Sequence, residues 1–415
     1  MIFLELFFEI FFSSKKDNQI IKDSLFNQHC FSLPKSATYD RLIGLRQLKR
    51  NLFFIWRQNN HDLKKTYHNE SNIFCFNLFP NDNINFINDL NNKKKINSTF
   101  SKVNLLKDLK FSQKIHMSSL LFIMYLFIAV LVFFQNNKRI NTALFPEHIL
   151  NSYILIKRLL TLNCKTLYFF QPHEPEANLI SHILIKRGVY VLKVPNTNPL
   201  FLFNKAIIAS KLILTLEYQL DELKIYDDKM KYKFKNPPSL TKYFNHKHLN
   251  SRNEDICYYS HASWLRKELD HNIPLFNEVK LEIDFLSYIK QQKMFNDSKI
   301  TICLHPKEKE SQNLLNKSKR YYKSIFGENI NFYTQNSYDS FKVFNLGFGV
   351  LSTILFERIH CGFKTLLFSD LDEFPVEKSN FNRFVINDLK LADKLISKSV
   401  NTNLELFFSK SKNYT

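Results

Sequence analysis

Apolar positions in this chain switch repeatedly between helical spacing and short continuous runs, most regularly from Pro146 onward. Ile149 to Leu160 has helical periodicity and leads into a compact strand, Thr166 to Phe170, and then a polar turn, QPHEPEAN. Leu179 to Lys186 is helical, Gly188 is a natural stop just beyond it, and Val189 to Val194 is a second strand. Phe203 to Ser210 then predicts a helix and Leu212 to Leu216 a strand. After a basic, aperiodic stretch, Lys229 to Asn250, the alternation resumes with an apolar run at Ile256 to Ser260. A helix over Lys280 to Gln292, a strand over Lys299 to Leu304 and a helix over Ser311 to Ile325 follow. Ile330 to Tyr333 is a short strand and Ser337 to Phe344 a short helix. Strands and helices exchanging on short links predict a parallel, doubly wound sheet in each half. The expected fold is α/β, two doubly wound Rossmann-like domains over 140–236 and 251–415, with the Pro237-Pro238 segment between them.

The earlier part of the chain is less regular. Residues 1–115 place short aromatic runs, Leu52 to Trp56 and Ile73 to Leu78, between basic tracts, and no motif assigns them. The apolar start, MIFLELFFEIFF, contains Glu5 and Glu9 and no leading basic region, unlike a secretory signal; it predicts an amphipathic or buried first element. Met117 to Phe134 is uncharged, with Lys110, Lys114 and His116 before it and Lys138 and Arg139 after. It fits either a transmembrane segment or a buried core element.

Composition narrows the choices modestly. A chain of 415 residues has room for two α/β domains, and 45% hydrophobic with 15% aromatic residues excludes a disordered chain. The formal net charge of +20 admits nucleic acid, an anionic membrane surface or a phosphorylated small molecule as partner. Lysine is abundant alongside Phe, Asn and Ile, as in AT-rich coding, which discounts the charge. No basic helix or spaced aromatic-basic pattern appears, so nucleic acid is not expected. The six cysteines are scattered singly, arguing against a zinc site and a disulfide framework and suiting a reducing cytoplasmic location.

Candidate chemistry gathers in LGFGVLSTILFERIHCGFKTLLFSDLDEFP, residues 346–375, which holds three of the chain's six glycines. The order is strand, Ser352-Thr353 as cap, helix to His360, Gly362 as stop, and a strand at Thr365 to Phe368. A Ser-Thr pair opening a helix after a strand combines backbone N–H groups, hydroxyls and the helix dipole, which suits an anion. Alone it is an ordinary N-cap. Upstream, however, the strand over Lys299 to Leu304 runs directly into His305-Pro306-Lys307. An imidazole at the carboxyl end of such a strand can donate to a phosphate, and Lys307 adds positive charge. The two turns form walls of one anion pocket, with Glu357 inside the second helix and Gly349 permitting a close backbone approach.

An HP motif at His305-Pro306 followed by a Ser-Thr pair at Ser352-Thr353 resembles the bacterial sialyltransferases of the GT-B fold, of lipooligosaccharide and polysialic acid type. The resemblance spans about 256–375. It implies two domains facing a cleft, an N-terminal acceptor domain and a C-terminal donor domain that binds a nucleotide-sugar such as CMP-sialic acid. His305 would be the general acid or phosphate donor for the departing nucleotide, and Ser352 and Thr353 would hold the donor phosphate, with no metal and no cofactor. The family's base lies in an acidic-acidic-glycine motif. Asp227-Asp228-Lys229 and Asp221-Glu222-Leu223 both lack the glycine, and Glu174 and Glu176 of QPHEPE are rival bases. Each carboxylate also fits a solvated charge paired with lysine. The implied activity is transfer of a sugar to a surface glycan or glycolipid, at the cytoplasmic side of the inner membrane. Two alternatives stand beside it: a nucleotide-sugar epimerase or polyol-phosphate transferase of the same fold, and a non-catalytic membrane-associated binding protein.

Overall fold

The computed structural model describes residues 20–21, 48–49, 52–53, 55–56, 73–76, 98–100, 111–135, 140–170, 176–195, 207–216, 219–220, 223, 230–244, 256–265, 277–292, 295, 300–350, 352–368, 384–386 and 388–409. The first sheet contains β1 (Ile73–Phe76), β2 (Ser98–Phe100), β3 (Thr166–Phe169), β4 (Tyr190–Lys193), β5 (Lys211–Leu214) and β6 (Tyr232–Phe234). The second contains β7 (Ile256–Tyr259), β8 (Ile300–Cys303), β9 (Asn331–Tyr333), β10 (Leu346–Val350), β11 (Thr365–Phe368) and β12 (Val385–Ile386). Strand order is β2-β1-β3-β4-β5-β6 in one and β12-β11-β10-β7-β8-β9 in the other. Every pairing among these strands is parallel. The chain is thus an α/β protein of two doubly wound, Rossmann-like units.

Helices α1 (Phe111–Gln135), α2 (Ile140–Thr161) and α3 (Ala177–Lys186) accompany the first sheet. Leu155 and Leu159 of α2 and Ile180, Ile183 and Leu184 of α3 close over Leu167, Phe169 and Val191 of the strands. Fully burying side chains of this size contributes about 1.5–3 kcal/mol each. The apolar run at Met117 to Phe134 lies within α1, and Met117, Leu121 and Met124 enter this same core. Among the described residues no helix is long and apolar enough to cross a membrane. The aromatic run at 73–78, unassigned from sequence, supplies β1, which pairs with both β2 and β3. The first sheet therefore begins well before residue 140. The helix expected over Phe203 to Ser210 is absent at 207–210, where the chain is irregular up to β5.

Lys229 to Asn250 is more ordered than its lack of periodicity suggests. It supplies the edge strand β6 and then α4 (Pro238–Phe244). Leu240 and Tyr243 of α4 are fully buried in the second core, so α4 packs with the C-terminal unit. Helices α5 (Asn277–Gln292), α6 (Gln312–Phe326), α7 (Thr353–His360) and α8 (Ala392–Asn401) complete that unit. Its centre is aromatic. Phe348 of β10 meets Tyr258, Phe285, Phe295 and Phe368, with ring centroids 5.4–6.3 Å apart.

On the other face of β10 the alternation brings glycines, for a steric reason. A Cβ on Gly349 would lie 2.7 Å from the Tyr259 carbonyl oxygen, and one on Gly347 would lie 2.6 Å from Arg358 Nε. The expectation that Gly349 serves a ligand's approach is corrected: the strand is fully buried, and what approaches is β7 and α7. Arg358 is itself fully buried, donating to the Phe344 carbonyl at 2.6 Å and lying over the rings of Tyr259, Phe341 and Phe363. Gly362, with φ +84°, ends α7 as its position predicted.

Candidate functional site

The second sheet fixes where a ligand would sit. Its chain runs outward from β7 through β8 to β9, then returns to β10 on the other side of β7 and continues to β11 and β12. In order of appearance this is 3-2-1-4-5-6 reversed, with the direction of winding changing between β7 and β10. Loops at the carboxyl ends of two such strands diverge and open a crevice, where open α/β sheets bind ligands. Three turns rim it: Ser260 to Ser263 after β7, His305 to Lys307 after β8, and Ser352-Thr353 after β10. The β8 and β10 turns stand two strand spacings apart, about 10 Å.

His305 follows Leu304 and caps a short 3-10 helix, Pro306–Lys309. Its backbone N–H donates to Glu308 Oε2 at 2.8 Å, and its Nδ1 accepts from the Lys307 N–H at 3.2 Å. A backbone N–H can only donate, so Nδ1 is the acceptor and the neutral ring carries its proton on Nε2. Pro306 presets the turn's backbone and has no N–H to satisfy. Lys307 is exposed.

Glu308, unassigned from sequence, anchors this rim. It is fully buried and also accepts from Ser260 Oγ at 2.7 Å, Trp264 Nε1 at 2.6 Å and Tyr322 OH at 3.0 Å. Burial pushes its carboxyl above the ordinary carboxylate range, against the lowering effect of the bonds from Ser260, Trp264 and His305. Glu282 of α5 works alongside it, accepting from Tyr258 OH at 2.5 Å and from the N–H groups of His261 and Ser263 at 2.7 and 2.9 Å. Between those two N–H groups Ala262 sits at φ +58°, a left-handed conformation that side chains disfavour. Two buried carboxylates thus hold a strained turn at the crevice rim. The small-polar run Ser260-His261-Ala262-Ser263 directly after a strand was the available signal for it.

Ser352 is the N-cap of α7 and makes no side-chain capping bond; it and Thr353 are partly exposed. Both lie at the positive end of the helix dipole. Glu357, one turn further along, is buried and accepts from Tyr338 OH at 3.2 Å. His305, Pro306, Lys307, Ser352 and Thr353 therefore share one edge of the second sheet, whereas Glu357 and Gly349 lie within the packing beneath it.

The base candidates fall elsewhere. Glu176 precedes α3, fully buried, with Oε2 2.9 Å from His148 Nδ1 of α2. This is a packed pair inside the first unit. Asp221, Glu222, Asp227, Asp228 and Glu174 lie outside the described residues. No group of three His, Cys, Asp or Glu side chains suited to a metal ion occurs among the described residues.

No family model matches the chain and no curated protein matches it. Several solved structures do. A UDP-GlcNAc 2-epimerase of Methanocaldococcus jannaschii, in complex with UDP-GlcNAc and UDP, is 11% identical, covering 80% of this chain and 93% of its own, with a TM-score of 0.44. A trehalose-6-phosphate protein of E. coli bound with UDP-2-fluoro glucose is 10% identical over 82% and 93%, with a TM-score of 0.42. The UDP-N-acetylglucosamine 2-epimerase of Rickettsia bellii is 10% identical over 82% and 92%, with a TM-score of 0.38. At these values the likeness concerns chain path alone.

Proposed function

We propose that the chain is a glycosyltransferase of the GT-B kind, binding the phosphates of a nucleotide-sugar at the β7/β10 crevice of its C-terminal unit. The observation that carries this reading is the grouping of His305, the braced Ser260–Ser263 loop and Ser352-Thr353 on one sheet edge, around the point where winding reverses. In this reading His305 donates Nε2–H to a phosphate oxygen as the glycosidic bond breaks. Ser352 and Thr353 offer hydroxyls and the helix terminus to the other phosphate oxygens. Lys307, exposed beside His305, adds positive charge at the mouth. A sialic acid donor is the specific form suggested by the HP and Ser-Thr pairs, with a surface glycan or glycolipid as acceptor. The base that takes the acceptor proton is assigned to Glu174 or to the acidic residues of 221–228.

Thermal-shift titration with CMP, UDP, GDP and CDP-glycerol tests this. One of the four should raise Tm in a saturable way, and a flat response to all of them would sink the reading. His305→Asn should keep the cap, because its Oδ1 can replace Nδ1, yet lose the reach of Nε2–H. Turnover should fall about 10²–10³-fold, the usual cost of one donor to a developing charge. A loss confined to stability would instead mark His305 as a cap alone. Product analysis then separates transfer from 2-epimerisation of the donor.

A further inference from the structure

The outward side of α1 bears a second, separate surface. Helical spacing puts Phe111, Ile115, Phe122 and Leu126 along one stripe with Ile123 at its margin, opposite the buried Met117, Leu121 and Met124. Trp56, from the helical residues at 55–56, adds its ring edge-on to Phe111 at 5.7 Å, and its Nε1 donates to Ser118 Oγ at 3.1 Å. Phe53, Trp56, Phe111, Phe122, Ile123 and Leu126 are each 45–69% exposed. Ser112, His116 and Ser119 are exposed between them, but large apolar side chains this exposed on a helix that also buries an inner apolar side mark an interaction surface.

The fringe of this face identifies the medium. Lys49 and His116 are exposed and Lys114 is half-buried, whereas the described residues of 48–56 and 111–126 include no carboxylate. Lys110 precedes the helix, and Lys138 and Arg139 follow it, in a chain of net charge +20. An indole that hydrogen-bonds at its edge while exposing its ring suits the headgroup boundary. Apolar side chains with Lys49, Lys114 and His116 beside them and no carboxylate among those described residues match a bilayer with anionic headgroups.

We infer that α1, with Phe53 and Trp56, docks on an anionic membrane surface, lying along the interface with Phe122, Ile123 and Leu126 in the acyl boundary. This surface does not depend on the donor site and stands whatever the enzyme transfers.

Flotation of the full chain with vesicles tests it. Phosphatidylglycerol-phosphatidylethanolamine vesicles should carry the protein to the top, whereas phosphatidylcholine vesicles should not, and high salt should weaken binding. The double variant Phe122→Glu/Ile123→Glu should keep the wild-type circular dichroism and Tm and bind about tenfold or more weakly. Phe122→Ser/Ile123→Ser gives the same reading if the charges perturb folding. Ile123→Cys should react with a water-soluble maleimide in buffer and be protected by anionic vesicles. Protection without vesicles would show the face covered by the chain itself or by a second copy, and would overturn the inference. So would equal binding by the variants, indifference to lipid charge, or resistance to carbonate extraction, which marks a span.

Discussion

At the scale of single residues, Glu308 bears more than its place in the sequence suggests. His305-Pro306-Lys307 was legible as a turn with chemistry because a strand ran straight into it. Glu308, next along, was given no role from sequence. Its role comes from three partners 14 to 48 residues away, Ser260, Trp264 and Tyr322, and no local pattern encodes them. Glu308→Ala leaves Trp264 Nε1, the His305 N–H and one of the Ser260 and Tyr322 hydroxyls, which also bond each other, without an acceptor, at about 1–3 kcal/mol for each left unsatisfied. A loss of about 3 kcal/mol or more in denaturant unfolding is expected. The pH dependence has a definite sign. With its carboxyl raised by burial, the folded chain keeps a proton on Glu308 where the unfolded chain has released it. The wild-type advantage over Glu308→Gln should therefore be largest at acid pH. It should shrink as pH rises from the ordinary carboxylate range through the raised value, then level off. An advantage that grows with pH would contradict this.

At the scale of elements, helices and strands with strong periodicity fell where the pattern put them: α3, α5, α6 and α7, with β4, β5, β7, β8, β9 and β11. Failures have separate physical causes. β1 is only four residues, IFCF, set between Asn-rich tracts, and its partners β2 and β3 lie far along the chain. α4 is seven residues beginning at Pro238, too short to show a period, and forms because Leu240 and Tyr243 have a core to enter. At Gly349 the glycine itself was visible, but scarcity alone could not distinguish a ligand's approach from a neighbouring strand's. The contact with Tyr259 decides it. Gly349→Ala meets a backbone carbonyl that cannot rotate away, so it should cost about 1–3 kcal/mol as an overpacking change. Urea unfolding would read this directly, and a neutral result would show that β7 and β10 can separate there.

At the scale of the whole molecule, both sheets were predicted, and the segment left between them around Pro237-Pro238 divides there, β6 going to the first sheet and α4 to the second core. A C-terminal fragment starting at Lys235 retains α4, whereas one starting at Ser251 loses Leu240 and Tyr243 from the second core. The longer fragment should be the more stable by about 3–6 kcal/mol, the burial of two large side chains. Equal Tm values would show α4 to be dispensable. Winding order also differs between the sheets, with two strands on one side of the reversal in the first and three in the second. That difference was invisible in the alternation of elements. The glycines of β10 bear on how the second sheet assembles at all. Arg358 and Leu355 on α7 fit only over Gly347 and Gly349, with Phe348 pointing away. Sliding β10 by one residue would push Phe348 or Leu346 under α7, so the helix acts as a gauge that accepts one alignment of the central strand and rejects its neighbours.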